Sequence, residues 1–185
     1  MPGICLTFDN DTKQAINKVY QKVNEKLGEV LKIDSKLEPH FTLLYHPSSK
    51  IIDDLEDFNQ KIDLLANQFS KNVIKIEGYG IFQRGDNYIL YLSTAYDTRF
   101  QNIHKKAWQI FEESSFFDKT HYHYTSYTPH LTIPLINQNI ETAMHVLKEL
   151  MNQGLANIVF NNTKIEYLTA NLNDPKVYYS KELNY

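Results

Sequence analysis

The sequence predicts an α/β or α+β fold built as two related lobes, on two observations. Strand-like runs alternate with helix-like ones along the chain. In addition, the segment Pro39-His40-Phe41-Thr42-Leu43 recurs ninety residues further on as Pro129-His130-Leu131-Thr132-Ile133. A helical pattern follows each copy, so the repeat reads as an internal duplication; two copies are too few for a solenoid. The 185 residues suit one domain spanning 1–185, or two small lobes that share a core.

The elements follow in order. Ile4 to Phe8 reads as a strand, and Asp11 with Gln14 forms a capping-box pattern at the start of a helix. Ala15, Ile16, Val19, Tyr20, Val23, Leu27 and Leu31 share one face of that helix. After Glu38-Pro39, residues 40–45 read as a strand, with a turn at His46-Pro47-Ser48-Ser49. A second helix is expected from about Ile51 to Phe69, with Asp53 and Asp54 at its positive end. Val73 to Phe82 and Tyr88 to Leu92 are strand-like around a turn at residues 83–87. Asp97 is placed to cap a helix through Phe100, Ile103, His104, Ala107, Trp108 and Phe111. A polar, aromatic loop from about Ser114 to Thr128 leads into the strand around His130. Ile140 to Met151 forms a further helical face, and Gly154 stands just past its end. Ala156 to Phe160 and Lys164 to Ala170 read as strands around Asn161-Asn162, and Val177 to Tyr179 as a last strand.

Charge and cysteine content narrow the partners. The formal charge is -3, and Arg84 and Arg99 are the only arginines. A protein that grips duplex nucleic acid by its phosphates carries a basic stripe, so a small phosphate ester or an RNA end is the better expectation. Cys5 is the only cysteine, which leaves neither an intramolecular disulfide nor a thiolate zinc cluster. The N-terminus lacks a basic, apolar leader pattern, and no apolar run approaches a membrane span. A cytoplasmic, monomeric protein with no membrane partner is expected.

The chemistry rests on the repeat. Side chains alternate along a strand, so His40 and Thr42 share one face while Phe41 and Leu43 take the other. His130 and Thr132 do the same against Leu131 and Ile133. One such copy would read as a core histidine; two copies with the same preceding proline point to a site. Cleaving a phosphodiester needs a base for the attacking oxygen and an acid for the leaving oxygen. Histidine, with an unperturbed pKa of about 6.5, fills either role near neutrality. Threonine hydroxyls two residues away can hydrogen-bond the non-bridging oxygens. Such a site requires no metal.

With these paired His-x-Thr motifs the chain resembles the 2H phosphoesterase superfamily, also called LigT-like or 2′-5′ RNA ligase-like. The order of Gly78-Tyr79-Gly80-Ile81-Phe82, Tyr88-Ile89-Leu90-Tyr91-Leu92 and the Phe100 to Phe111 helix is similar to the family's middle section. The resemblance implies a bilobal, pseudo-symmetric α+β fold, with two antiparallel sheets forming a central cleft and helices outside. It also implies hydrolysis of a 2′,3′-cyclic phosphate or a 2′-5′ linkage without a cofactor, with His40, Thr42, His130 and Thr132 as the catalytic four.

Other features carry less. Tyr127 and Tyr91 are the aromatics expected to contact substrate, with Tyr122 and Tyr124 as further stacking candidates in the 114–128 loop. His121-Tyr122-His123 has the spacing of some metal ligands but lacks a matching carboxylate motif. No phosphate loop, dinucleotide fingerprint or nucleophile elbow is present. A catalytically silent nucleotide-binding module, or an RNA-end ligase running the reverse reaction, stands as the alternative.

Overall fold

A computed structural model describes residues 3–33, 38–45, 52, 54–94, 98–114, 127–168 and 177–184. The elements expected at Asp53, Asp97, the 46–49 turn and most of the 114–128 loop, including His121, Tyr122, His123 and Tyr124, lie outside them.

Strand β1 (Gly3–Phe8) leads into helix α1 (Asn10–Leu27). The cap is Asp9, whose carboxylate accepts from the Thr12 amide, two residues earlier than the pattern Asp11–Gln14 suggested. Asp11 instead lies in the first turn, where the helix dipole favours a negative charge. The helix also ends sooner than its apolar face does. Gly28 has φ +84, a left-handed conformation that stops the helix, and Leu31 is buried by a separate bridge to Leu135.

Strand β2 (His40–Tyr45) carries the first motif. Helix α2 (Leu55–Asn67) is capped by Asp54 and is shorter at both ends than expected. The single strand expected over residues 73–82 is two strands, β3 (Asn72–Ile74) and β4 (Gly78–Arg84), which lie at different ends of the sheet. Strand β5 (Asn87–Ser93) returns from β4 through a two-residue Gly85-Asp86 turn, with Gly85 at φ +60. Helix α3 (Thr98–Phe111), strand β6 (His130–Thr132) and helix α4 (Ile140–Asn152) follow.

After a 3-10 turn at Leu155–Asn157, strand β7 (Phe160–Leu168) continues through the Asn161-Asn162 pair read as a turn, with a slip in its register on β1 beside Asn162. Tertiary partners override the turn propensity there. The Asn161 side chain donates to Asp9, its amide donates to Thr12 Oγ1, and Asn162 is buried. Strand β8 (Val177–Glu182) closes the order.

All pairings between these strands are antiparallel, and the strands run β3-β7-β1-β2-β6-β5-β4, with β8 also on β7. The two halves expected as separate sheets are thus joined into one by the β2–β6 pair. That seam has a single register position, Phe41 opposite Leu131. Helices α2 and α3 contact each other; α3 packs on β2, and α2 on β7 and β8. Helix α4 packs on α1 and β5.

Behind the seam lies an aromatic core. Phe41 contacts Phe8 (ring centroids 5.7 Å apart) and Phe100 (4.7 Å), and Phe8 meets Phe160 at 5.6 Å. Phe41 and Leu131 are the middle residues of the two His-x-Thr motifs, and both are buried. Alternation therefore turns their polar neighbours to the other face of the sheet.

Candidate active site

The seam assembles the four motif residues. Because Phe41 pairs antiparallel with Leu131, the register runs His40 toward Thr132 and Thr42 toward His130, all on one face. The two copies are related by a local two-fold at the Phe41–Leu131 pair. Each histidine therefore faces the other motif's threonine, and the histidines occupy a diagonal. Diagonal neighbours across an antiparallel pair are roughly 7–8 Å apart, a span that a phosphate group can occupy.

Both rings are held the same way. His40 Nδ1 lies 2.8 Å from the Glu38 carbonyl, and His130 Nδ1 lies 2.7 Å from the Thr128 carbonyl. A carbonyl only accepts, so each ring donates from Nδ1 and presents Nε2 for chemistry. The common geometry of the two copies follows from the shared Pro-His step: proline restricts the residue before it to extended conformations. The histidine can then fold back on the carbonyl two residues earlier. Glu38 is paired with Lys13 where the chain enters the first motif.

Burial lowers the pKa of both histidines from the ordinary value, against the raising effect of each Nδ1–H···O=C bond. The charge of His130 lowers His40 further, so the two rings sense each other electrostatically. Mutual repulsion disfavours the doubly protonated pair, so the two protons leave in separate steps. Between those steps the pair holds one base and one acid.

Cross-strand neighbours complete the surroundings. On the β1 side Thr7 lies opposite His40 and Cys5 opposite Thr42, and both are buried. Burial pushes the Cys5 thiol up to about 12, so it is a neutral packing group beside Thr42. The row through His40 and Thr7 continues to Lys164 of β7, whose ammonium pairs with Glu182 at 3.2 Å.

On the other side Tyr91 lies opposite Thr132, and Ser93 opposite His130. The Tyr91 ring stacks on Phe82 with centroids 4.2 Å apart. Both meet the His130 imidazole edge to face, at 5.4 Å and 5.0 Å. Gly80 makes room for this stack: a Cβ there would stand 2.1 Å from the Tyr91 ring.

Of the expected substrate aromatics, Tyr91 thus borders the site directly. Tyr127 is engaged with the protein itself. Its hydroxyl donates to the Thr42 carbonyl at 2.8 Å, and its ring stacks on His104 at 3.8 Å. Burial pushes its phenol pKa well up.

Phe82, Gly80, Thr7 and His104 were not singled out as site residues from the sequence. Gly80 could have been found by pairing Tyr91 across the Gly85-Asp86 turn, and Phe82 as the diagonal neighbour of Tyr91 in the same hairpin; Thr7 and His104 depend on long-range register. Among the described residues, no group of three His, Cys, Asp or Glu side chains could hold a metal ion.

Comparison with known proteins agrees with this architecture. The profile of the 2′-5′ RNA ligase superfamily matches residues 11–172. The crystal structure of E. coli LigT in apo form superposes over 100% of this chain and 99% of that one, with a TM-score of 0.54 at 11% identity. No curated protein matches by sequence. The fold and the paired motifs define a protein of the 2H phosphoesterase class. Within that class, the chain belongs to the 2′-5′ RNA ligase superfamily.

Proposed function

We propose that the protein is a metal-independent phosphodiesterase that opens a 2′,3′-cyclic phosphate or cleaves a 2′-5′ phosphodiester in a nucleotide or RNA-derived substrate. The observation that carries this reading is the matched pair of histidines. Both are fixed by an Nδ1–H bond to the backbone, and their register partners are the threonines on the same face.

In the proposed reaction the neutral histidine's Nε2 accepts a proton from water as the water oxygen bonds to phosphorus. The bond from phosphorus to the leaving ribose oxygen breaks, and the protonated histidine gives its Nε2 proton to that oxygen. The pair ends with its proton exchanged between the two rings and its total charge unchanged. Thr42 and Thr132 hydroxyls donate to the non-bridging oxygens, where charge builds up. Tyr91, beside His130 and stacked on Phe82, offers an aromatic face to a nucleobase. The net charge of -3 supports a small substrate over a duplex.

The test is a panel of 2′,3′-cyclic nucleotides with 2′-5′ and 3′-5′ oligonucleotides, read by product analysis. His40→Ala and His130→Ala are each expected to lower turnover by roughly 10²- to 10⁴-fold, and EDTA is expected to leave it unchanged. Full activity in both variants overturns the reading. Tight binding of panel members without cleavage by the wild-type protein points to the silent binding module instead.

A further inference from the structure

The first motif contains an irregularity that the second lacks. Between β1 and β2 the register slips: Ile4 pairs with Leu44, but the next residue, Cys5, pairs with Thr42. Leu43 is therefore the extra residue of a β-bulge, immediately after Thr42. A bulge leaves its extra residue out of the ladder and bends the strand locally. Strand β6 gives little support there, since it meets β2 at one position only.

Two side chains from elsewhere take these carbonyls. His104 of α3 sets its Nδ1 2.6 Å from Leu43 O, and the Tyr127 hydroxyl donates to Thr42 O at 2.8 Å. The two rings stack nearly parallel, at 13° and 3.8 Å. Gln101 of α3 donates to the Tyr127 carbonyl at 3.3 Å, tying the same segment to the same helix. His104 is 1% exposed, so the arrangement is internal. Thr132, by contrast, lies in regular register opposite Tyr91.

We propose that Tyr127 and His104 are positioning residues, a brace that fixes the bulged backbone of β2 so that Thr42 is aimed at the phosphate. The inference rests on the reading of Thr42 as a phosphate contact. It gives Tyr127 a role distinct from touching substrate. It also couples the motifs: the segment that leads into His130 orients the threonine of the other copy.

The experiment is a double-mutant cycle read by titration with inorganic phosphate, which stands in for the phosphoryl group. Tyr127→Phe keeps the stacked ring and removes only the donor to Thr42 O. It is expected to weaken phosphate binding roughly 3- to 10-fold, the range of one hydrogen bond. In a Thr42→Val background the same change adds less than about twofold, because its target is gone; in a Thr132→Val background the full factor returns. His104→Asn retains a donor near Leu43 O and is expected to bind phosphate within about twofold of the wild type, whereas His104→Ala is not.

A Tyr127→Phe effect that is equal in both threonine backgrounds, or absent, overturns the brace. If Thr42→Val weakens phosphate binding in that event, the reading of Thr42 as a phosphate contact survives and the brace alone fails. If Thr42→Val leaves binding unchanged, that reading fails and the brace with it.

Discussion

At the scale of single residues, the histidine environment sets the pH response. Both imidazoles have lowered pKa values in the free protein, chiefly through burial. A reaction needing one neutral and one protonated ring is fastest midway between the two values. The kcat/KM optimum is therefore expected below about 6.5. A bound phosphate anion favours imidazolium, so the kcat profile should lie on the alkaline side of the kcat/KM profile. Stopped assays across pH 4 to 9 check both statements. Gly80 provides a second test at this scale. A methyl group there meets only the far end of the Tyr91 side chain, which can swing away. Gly80→Ala is thus expected to change stability little while displacing Tyr91 from His130, raising KM for base-bearing substrates several-fold. Tm and KM measured together separate that outcome from simple unfolding.

At the scale of elements, the critical contact is the seam between β2 and β6. Its one paired position places Phe41 at the meeting point of both halves and against Phe8 and Phe100. Phe41→Ala is expected to cost about 3–5 kcal/mol in urea denaturation, with turnover of the folded fraction also reduced because the motifs lose their shared support. The cap of α1 is a milder case. Asp9 accepts from the Thr12 amide and from the Asn161 side chain, joining the start of α1 to β7. Asp9→Ala should cost about 1 kcal/mol, the usual value of a helix cap.

For the whole molecule, one sheet runs through both halves, and the helices cross between them. Helix α3, from the later half of the chain, packs on β2, and α4 packs on α1. Unfolding is expected to be a single transition, with the fluorescence of buried Trp108 in α3 tracking the far-UV circular dichroism. Stability should also depend on pH. Histidines whose folded pKa lies below the unfolded value bind more protons when unfolded. Their stabilising contribution is present above about pH 6.5 and is lost as the pH falls through the lowered folded values. Replacing His40 and His130 together by Gln should flatten that dependence between about pH 5 and 7 in urea titrations.

The sequence by itself determined which polar residues of the two repeats share a face. The repeated Pro-His-x-Thr pattern and strand alternation identify the four polar residues and their two buried partners, since both signals are local and have a period of two. Most helices were equally legible, because apolar spacing reports a buried face. What failed were boundaries and continuity. Gly28 ended a helix that its apolar spacing extended to Leu31, and the run over residues 73–82 split between opposite regions of the sheet. Asn161-Asn162 stayed in a strand because Asp9 and Thr12 supply its hydrogen bonds. Only the tertiary structure decided that Phe41 meets Leu131, that Tyr127 reaches Thr42 rather than open space, and that Phe82 stands beside His130. Those contacts join residues far apart in the chain, and no local periodicity encodes which strand lies next to which.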